Sequence, residues 1–429
     1  MTTREKAERG KRAAEASLGL GSGIRDAALA AVATALKAGA AAIIAANAAD
    51  LEAAERDGLA APLLKRLRFD AAKLDEALAG IESLRRLADP VGRVLSARRL
   101  DSGLELTQVS CPIGLVAMVF ESRPDALVQM ACLAAKSGNA VMLKGGSEAA
   151  RTNAALCGLI GPAGVTAGLP PDWLSALETR EDVAELLGLD EWVDLIVPRG
   201  SKEFVARIKA GSRIPVMGHS DGVCHVYLHE DADPTMAAAL AVDSKAQYPA
   251  ACNAAEVLLV HSAFAAQGLA AVVAALEAAD VVLELDGRSA AILGRRATKT
   301  DGDWSIEYLD LRMAVKVVDS LGEAVAHINR FGSRHTDAIV TASKVAADHF
   351  MDRVDSASVY WNASTRFADG FRYGLGAEVG ISTGKLHARG PVGLEGLCTY
   401  KWKLEGSGQI VADYASGARV FLHEEMPHG

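Results

Sequence analysis

The chain has 429 residues, half of them hydrophobic and 23% charged, which is too many for one core and ordinary for a globular protein of two or three domains. A formal charge of -9 argues against sequence-independent nucleic-acid binding, which needs a basic footprint. The six cysteines, at positions 111, 132, 157, 224, 252 and 398, form no CxxC pair and no dense framework. Zinc-finger and disulfide scaffolds are therefore disfavoured, and a reducing, cytoplasmic compartment fits.

The first residues, Met1 to Glu8, have mixed charge and no apolar stretch, so no signal peptide is expected. Residues 1 to about 95 read as helices, with apolar positions at helical spacing through Ala28 to Ala46 and again through Leu63 to Leu87, where Asp89-Pro90 stops the pattern. Lys37 and the many alanines make residues 27–48 a buried or half-buried helix rather than a membrane span. From Leu95 to Val109 the pattern alternates around Asp101-Ser102-Gly103, the signature of a hairpin arm. An arm without a core of its own suits pairing with another subunit, and Leu397 to Ile410 has a similar pattern that can meet it in one interface.

Beyond the arm the chain alternates short apolar strands with helices. Strands are expected at Ile113 to Phe120, Ala140 to Leu143 and Val193 to Val197, then at His225 to Leu228, Val257 to Val260, Ala338 to Val340 and Ser358 to Trp361. Such alternation predicts parallel sheets with ligands at the strands' carboxyl ends. Two glycine-containing loops, Lys144-Gly145-Gly146-Ser147 and Pro198-Arg199-Gly200-Ser201-Lys202, follow strands and precede helices, where backbone N–H groups can face a phosphate. Either loop alone also reads as an ordinary turn. Cys252 lies in Gln247-Tyr248-Pro249-Ala250-Ala251-Cys252-Asn253, immediately before an apolar strand. A cysteine on a punctuated loop in front of a buried strand suits covalent acyl chemistry, although it reads equally as a small apolar core residue. His225 and His229 share one strand face but lack a third ligand, so no metal site is expected. Cys224 reads as packing beside a strand rather than as the nucleophile.

Taken in order, the motifs closely resemble the γ-glutamyl phosphate reductase family of the aldehyde dehydrogenase superfamily. They run from Pro112-Ile113-Gly114 and Glu121-Ser122-Arg123-Pro124 through Lys136 to Ala140, Lys144 to Ala149, Pro198 to Gly200 and Asp221 to Tyr227. They continue with Cys252-Asn253-Ala254, Glu307 to Asp310, His335 to Thr341, Asn362 to Gly370, Gly374 to Thr383 and Lys385-Leu386-His387-Ala388-Arg389-Gly390-Pro391. The resemblance covers nearly the whole chain. It implies an aldehyde-dehydrogenase-like α/β fold of two parallel-sheet domains plus a β-hairpin oligomerisation arm. Residues 1–95 and 112–224 would form the cofactor-binding domain and 225–390 the catalytic domain carrying Cys252. Residues 96–111 and 391–429 would supply the arm and a C-terminal segment.

The implied reaction is reduction of L-glutamyl 5-phosphate by NADP(H) to L-glutamate 5-semialdehyde and phosphate, through a Cys252 thioester, as the second step of proline biosynthesis. No metal is needed, because the acyl phosphate is already activated. Cys252 would be the nucleophile and Arg123 a catalytic or phosphate-binding residue, unless it pairs with Glu121 or Asp125. Lys144, Ser147, Glu148, Pro198, Arg199, Gly200 and Glu307 would bind the cofactor, with Ser147 replacing a carboxylate that repels a 2′-phosphate in NAD-preferring relatives. Ser122, Asn253, Ser364, Thr365 and Arg366 would bind the substrate. The implied partners are a homo-oligomer, dimer or tetramer, and a transient glutamate 5-kinase, with no nucleic acid and no membrane.

The chain also departs from the family pattern. Tyr248-Pro249-Ala250-Ala251 stands where the family commonly has Arg-Pro-Gly-Val, and Asp125 where it has asparagine. The superfamily's general-base glutamate is absent, with His219 roughly at its spacing. These changes motivate an alternative, a weakly active paralogue with a nucleotide-binding or assembly role. An aldehyde dehydrogenase or acyl-CoA reductase with another substrate is a third reading, disfavoured by the segments from Glu121 and from Asn362.

Overall fold

The computed structural model describes residues 1–219, 221–299, 302–385 and 388–427. Leu386 and His387 of the motif from Lys385 to Pro391 lie outside the described residues. The N-terminal region is helical, as its periodicity predicts: α1 (Thr3–Ser17), α2 (Ser22–Ala38), α3 (Ala40–Arg56), α4 (Ala61–Leu67) and α5 (Ala71–Arg86). Thr2 and Glu5 form a reciprocal cap on α1, each side chain taking the other's backbone N–H. The apolar stripe expected to run unbroken from Ala28 to Ala46 is bent by 67° at Gly39. A Cβ there would fall 2.4 Å from Leu159 Cδ1, so the chain turns where only glycine lets it approach a neighbouring helix so closely. No single helix among the described residues is long and apolar enough to cross a membrane.

The hairpin forms as predicted from β1 (Val94–Asp101) and β2 (Leu104–Pro112), with Gly103 at a φ of 69° in the turn. The first α/β unit follows: β3 (Leu115–Phe120), α6 (Pro124–Lys136), β4 (Ala140–Lys144), α7 (Ala150–Thr166), β5 (Leu174–Ala176), α8 (Arg180–Leu186), β6 (Leu195–Arg199) and α9 (Lys202–Gly211). Its strands are all parallel in the order β5-β4-β3-β6. β3 and β4 are buried along their whole length, which is why they read as continuous apolar runs rather than alternating ones.

The second unit contains β7 (Cys224–Leu228), α10 (Pro234–Ala246), β8 (Ala255–His261), α11 (Ser262–Ala278), β9 (Val282–Leu285), α12 (Gly287–Ile292), β10 (Arg312–Val318), α13 (Leu321–Phe331), β11 (Thr336–Val340), α14 (Lys344–Arg353) and β12 (Ser358–Trp361). Its parallel order is β12-β11-β7-β8-β10-β9. Sequence reasoning missed β5, β9 and β10. β5 has only three residues, β9 is a partly exposed edge strand, and Lys316 interrupts β10, its ammonium lying over the Trp304 ring at 5.4 Å.

The chain closes with β13 (Gly380–Ser382), β14 (Gly390–Val392), β15 (Cys398–Glu405), α15 (Val411–Ala415) and β16 (Glu424–Glu425). β15 pairs with β2 along its full length, so the two alternating segments meet in one antiparallel sheet, β15-β2-β1-β16, within a single chain. Val379, Val392, Leu394 and Leu397 pack into the core of the first unit, not the second. The segment from Ala377 to Leu397 thus returns to the first unit, ahead of the expected boundary at 390. Asn139 fixes the return by donating its amide to the Leu397 carbonyl at 2.8 Å.

Gly114 sets the entry to β3. Its φ is 133°, and a Cβ would fall 2.2 Å from Asp194 Oδ2, an oxygen that accepts the Leu115 N–H at 2.8 Å. Lys11 also pairs with Asp194, at 2.7 Å. Gly114→Ala is therefore expected to lower stability by about 2–4 kcal/mol through backbone strain and loss of that carboxylate's seat. Urea unfolding measures it, and an unchanged midpoint would contradict this account.

Candidate active site

Cys252 lies in a tight turn between α10 and β8, closed by hydrogen bonds from Ala251 N to Tyr248 O (3.3 Å) and from Ala254 N to Ala251 O (2.9 Å). The turn is clamped from the other side. A Cβ on Gly222 would fall 2.0 Å from the Cys252 carbonyl oxygen, so the two main chains touch where no side chain fits. Cys224 donates its thiol to the same carbonyl at 3.3 Å, which makes it a packing residue, as expected. Gly222 also donates its N–H to the Glu307 carboxylate, so one glycine fixes both groups.

Behind the turn is an ion pair that sequence reasoning missed. Lys245 Nζ lies 2.6 Å from Glu256 Oε2, and both side chains are completely buried. Glu256 further accepts N–H groups from Tyr308 and, at 3.4 Å, from Leu309. The pair therefore ties the end of α10 and the start of β8 to the segment carrying Glu307. Burial pushes Glu256 up to about 7 even with Lys245 alongside. In sequence the two read as a helix lysine and a strand-start glutamate, with no spacing rule to join them.

Cys252 sits at an edge that the sequence did not indicate. Cys252, Glu307, His335 and Gly222 all precede strands, placing them at the amino edge of the second sheet. Arg199 ends β6 at the carboxyl edge of the first sheet and is close enough to Cys252 to interact with its charge. Ligands are thus expected where the carboxyl edge of one sheet meets the amino edge of the other, not at carboxyl ends alone. Burial pushes the Cys252 thiol up to about 12, and the Glu307 and Glu378 carboxylates add to this, while Arg199 and Arg366 oppose it. Glu378, on the glycine-rich loop, accepts the Gly370 N–H at 2.8 Å and was not singled out in the sequence. His219 is joined through Nδ1 to the Ile381 carbonyl at 2.8 Å, and burial lowers its pKa.

The predicted substrate residues divide. Arg366 is buried and does not hydrogen-bond Asp369. Its Nε donates to Gln247 Oε1 at 2.9 Å and its guanidinium lies 5.9 Å from the Tyr248 ring centroid, which turns it toward the cysteine loop. Asn253 donates to the Ala368 carbonyl at 2.8 Å, coupling that loop to the Arg366 segment, and leaves its own oxygen buried without a partner. Ser364 accepts the Arg366 N–H at 3.2 Å and the Ser244 hydroxyl at 3.3 Å, which ties its loop to α10. Thr365 is wholly buried, its backbone N–H donates to the Ser244 hydroxyl at 3.2 Å, and its own hydroxyl has no partner among the described residues. Ser122 donates both its N–H, at 2.7 Å, and its hydroxyl to the Glu148 carboxylate. Arg123 forms an exposed ion pair with Asp125 at 2.7 Å, while the arginines whose charge acts on the Cys252 sulfur are Arg199 and Arg366. His225 Nδ1 lies 2.9 Å from the Asp337 carboxylate and His229 Nδ1 lies 3.0 Å from the Tyr227 hydroxyl.

On the first sheet the chain runs from β3 to β4 and β5 on one side and then crosses to β6 on the other, a reversal of strand order at whose carboxyl end open α/β sheets bind ligands. Lys144, Pro198, Arg199 and Gly200 lie at these strand ends, with Ser147 exposed beside Lys144 and Glu148 next to it. Lys144 is buried, which lowers its pKa against the pull of Glu148. One expectation changes. The Ser201 N–H at the start of α9 is already taken by Glu121 at 2.8 Å, so the Pro198 loop does not offer that group to a phosphate.

This fold and site define the class. Residues 4–295 match the aldehyde dehydrogenase family, and the chain belongs to that family. Within it, the similar curated proteins are gamma-glutamyl phosphate reductases. That of Pelotomaculum thermopropionicum is 54% identical over 99% of this chain and 98% of its own, and that of Ruminiclostridium cellulolyticum is 54% identical over 94% and 93%. The crystal structure of gamma-glutamyl phosphate reductase from Thermotoga maritima superposes with a TM-score of 0.93 at 35% identity, covering 96% of this chain and all of that one. An acetylating aldehyde dehydrogenase from Geobacillus thermoglucosidasius shares the fold at a TM-score of 0.64 and 18% identity, over 95% of this chain and 97% of that one.

The buried pair yields a prediction with two readouts. Lys245→Ala leaves Glu256 uncompensated and is expected to cost about 3–5 kcal/mol of stability. Joint replacement by Lys245→Met and Glu256→Leu restores most of that stability but not turnover, because Tyr308 and Leu309 lose their acceptor. Thermal unfolding and initial rates check both halves, and full activity in the stable double variant would show that the pair positions nothing.

Proposed function

We propose that the chain reduces L-glutamyl 5-phosphate to L-glutamate 5-semialdehyde and phosphate with NADPH, the second step of proline formation from glutamate. The observation that carries this is Cys252 clamped by Gly222 where the two sheet edges meet, with Arg199 and Arg366 close enough to act on its charge. Relatives 54% identical over nearly the whole chain support the same reading. The neutral thiol must lose its proton to attack the acyl carbon. His219 is the base placed for this, kept neutral by burial and oriented by the Ile381 carbonyl. Attack forms the Cys252 thioester and expels phosphate, whose charge Arg199 offsets. The oxyanion is received by the Cys252 backbone N–H and Arg199. Arg366, steadied by Gln247 and Tyr248, binds the substrate's α-carboxylate.

Bound NADPH supplies the hydride that converts the thioester to the aldehyde. Lys144 and Ser147 would hold its adenosine ribose and 2′-phosphate, Glu148 would flank them, and Glu307 would hold the nicotinamide ribose. The fit rests on the reversal of strand order at the end of β3, on the Lys144 charge beside an exposed serine, and on Glu307 reaching the cysteine's surroundings. The first unit would be the cofactor domain and the second the catalytic one. The arm, which exposes Tyr400, Trp402 and Leu404 on β15, would pair with another copy of the chain. Six free cysteines suit a reducing cytoplasm, where a glutamate 5-kinase would hand over its labile product.

The test is phosphate-dependent NADP⁺ reduction with glutamate semialdehyde. Cys252→Ala is expected to abolish it while NADP⁺ still binds, and Arg366→Ala to raise KM for the semialdehyde about tenfold to a hundredfold. Substantial turnover in the Cys252 variant would remove it from the mechanism. For the cofactor, Ser147→Glu is expected to shift preference from NADP⁺ toward NAD⁺, since a carboxylate repels the 2′-phosphate. Equal wild-type affinities, or a preference unmoved by the substitution, would sink that assignment.

A further inference from the structure

We propose that Cys252, His219 and His335 form a binding site for one thiophilic divalent cation of the zinc class, whose capture blocks the nucleophile. Their donor atoms, one sulfur and two ring nitrogens, all lie within 4.8 Å of one another, although the residues come from three separate segments of chain. The two imidazoles meet edge to face at 5.0 Å.

A second observation points to a ligand. His335 is fully buried, its Nδ1 shares a hydrogen bond with Thr336 Oγ1 at 2.8 Å, and its Nε2 is buried with no partner among the described residues. Orphaned polar atoms of this kind are costly and mark sites completed by water, ion or catalysis. His219 is prepared in the same way. Its Nδ1 is engaged by the Ile381 carbonyl, which leaves Nε2 with a free lone pair. An outer-shell acceptor on one ring nitrogen is the usual means of fixing a metal-binding histidine.

One thiolate and two imidazoles select zinc-class ions over hard cations such as Mg²⁺, and leave a fourth tetrahedral position for water. The Glu307 and Glu378 carboxylates around Cys252 favour a cation, whereas Arg199 and Arg366 oppose one, so the ion is exchangeable rather than structural. Capture is a simple exchange: the thiol proton leaves to solvent and a sulfur–metal bond forms, with nothing oxidised. Binding stands independently of the proposed reaction, and only the inhibition rests on Cys252 as nucleophile.

The test titrates the reduced full chain with Co²⁺. A thiolate-to-cobalt charge-transfer band saturating at one equivalent, displaced by Zn²⁺ and indifferent to excess Mg²⁺, is expected. Cys252→Ala should abolish the band, and His335→Asn and His219→Asn should each weaken Zn²⁺ binding at least about tenfold. Circular dichroism and NADP⁺ binding report whether each variant is folded, and if His335→Asn is not, His219→Asn carries the result. Zn²⁺ should inhibit turnover, with activity restored by a chelator. No band in the wild type, or a band that survives Cys252→Ala, overturns the site. Turnover surviving in Cys252→Ala would instead defeat the proposed reaction and leave the metal site standing.

Discussion

The site depends on a buried ion pair. Lys245 and Glu256 have no solvent to stabilise them, so each is held by the other at 2.6 Å, and Glu256 by the Tyr308 and Leu309 N–H groups as well. Desolvating two charges is expensive, and such a pair contributes little net stability compared with an apolar one. Its value here is positional. It joins the helix leading to Cys252, the strand leaving it and the segment bearing Glu307, three pieces that local structure would not align.

Around that anchor, two parallel sheets meet with opposite polarity. The first presents the carboxyl ends of its strands, with Lys144 and Arg199, and the second presents amino ends, with Cys252, Glu307 and His335. Strand-end segments on both sides bring charged groups together, from the brief turn that holds Cys252 to the longer stretch between α12 and β10 that carries Glu307. Burial raises the thiol and the nearby carboxylates and lowers the histidines, so the site favours neutral forms of its acids and bases. Arg199 and Arg366 set positive charge against the sulfur in these surroundings.

The departures from the family pattern find physical accommodation. Asp125, unhelpful beside an anionic substrate if left alone, is paired with Arg123 at 2.7 Å. Tyr248, where relatives commonly have arginine, gives the Arg366 guanidinium a ring to lie over, so the local charge is lower but the remaining arginine is oriented.

The sequence alone determined the strand and helix types wherever burial was uniform, as in β3, β4 and β8, because a strand covered on both faces leaves an unmistakable apolar run. It also marked Cys252, Glu307 and Arg366, whose chemistry is written in short motifs. It missed β10, where one lysine breaks the run, and read through the bend at Gly39. Tertiary structure alone decided which arginines act on the charge of the sulfur, that the hydroxyls of Ser122 and Ser364 meet Glu148 and Ser244, and that Lys245 finds Glu256. Those outcomes depend on distances between segments with no fixed spacing in sequence, and only the packing of two sheets edge to edge sets them.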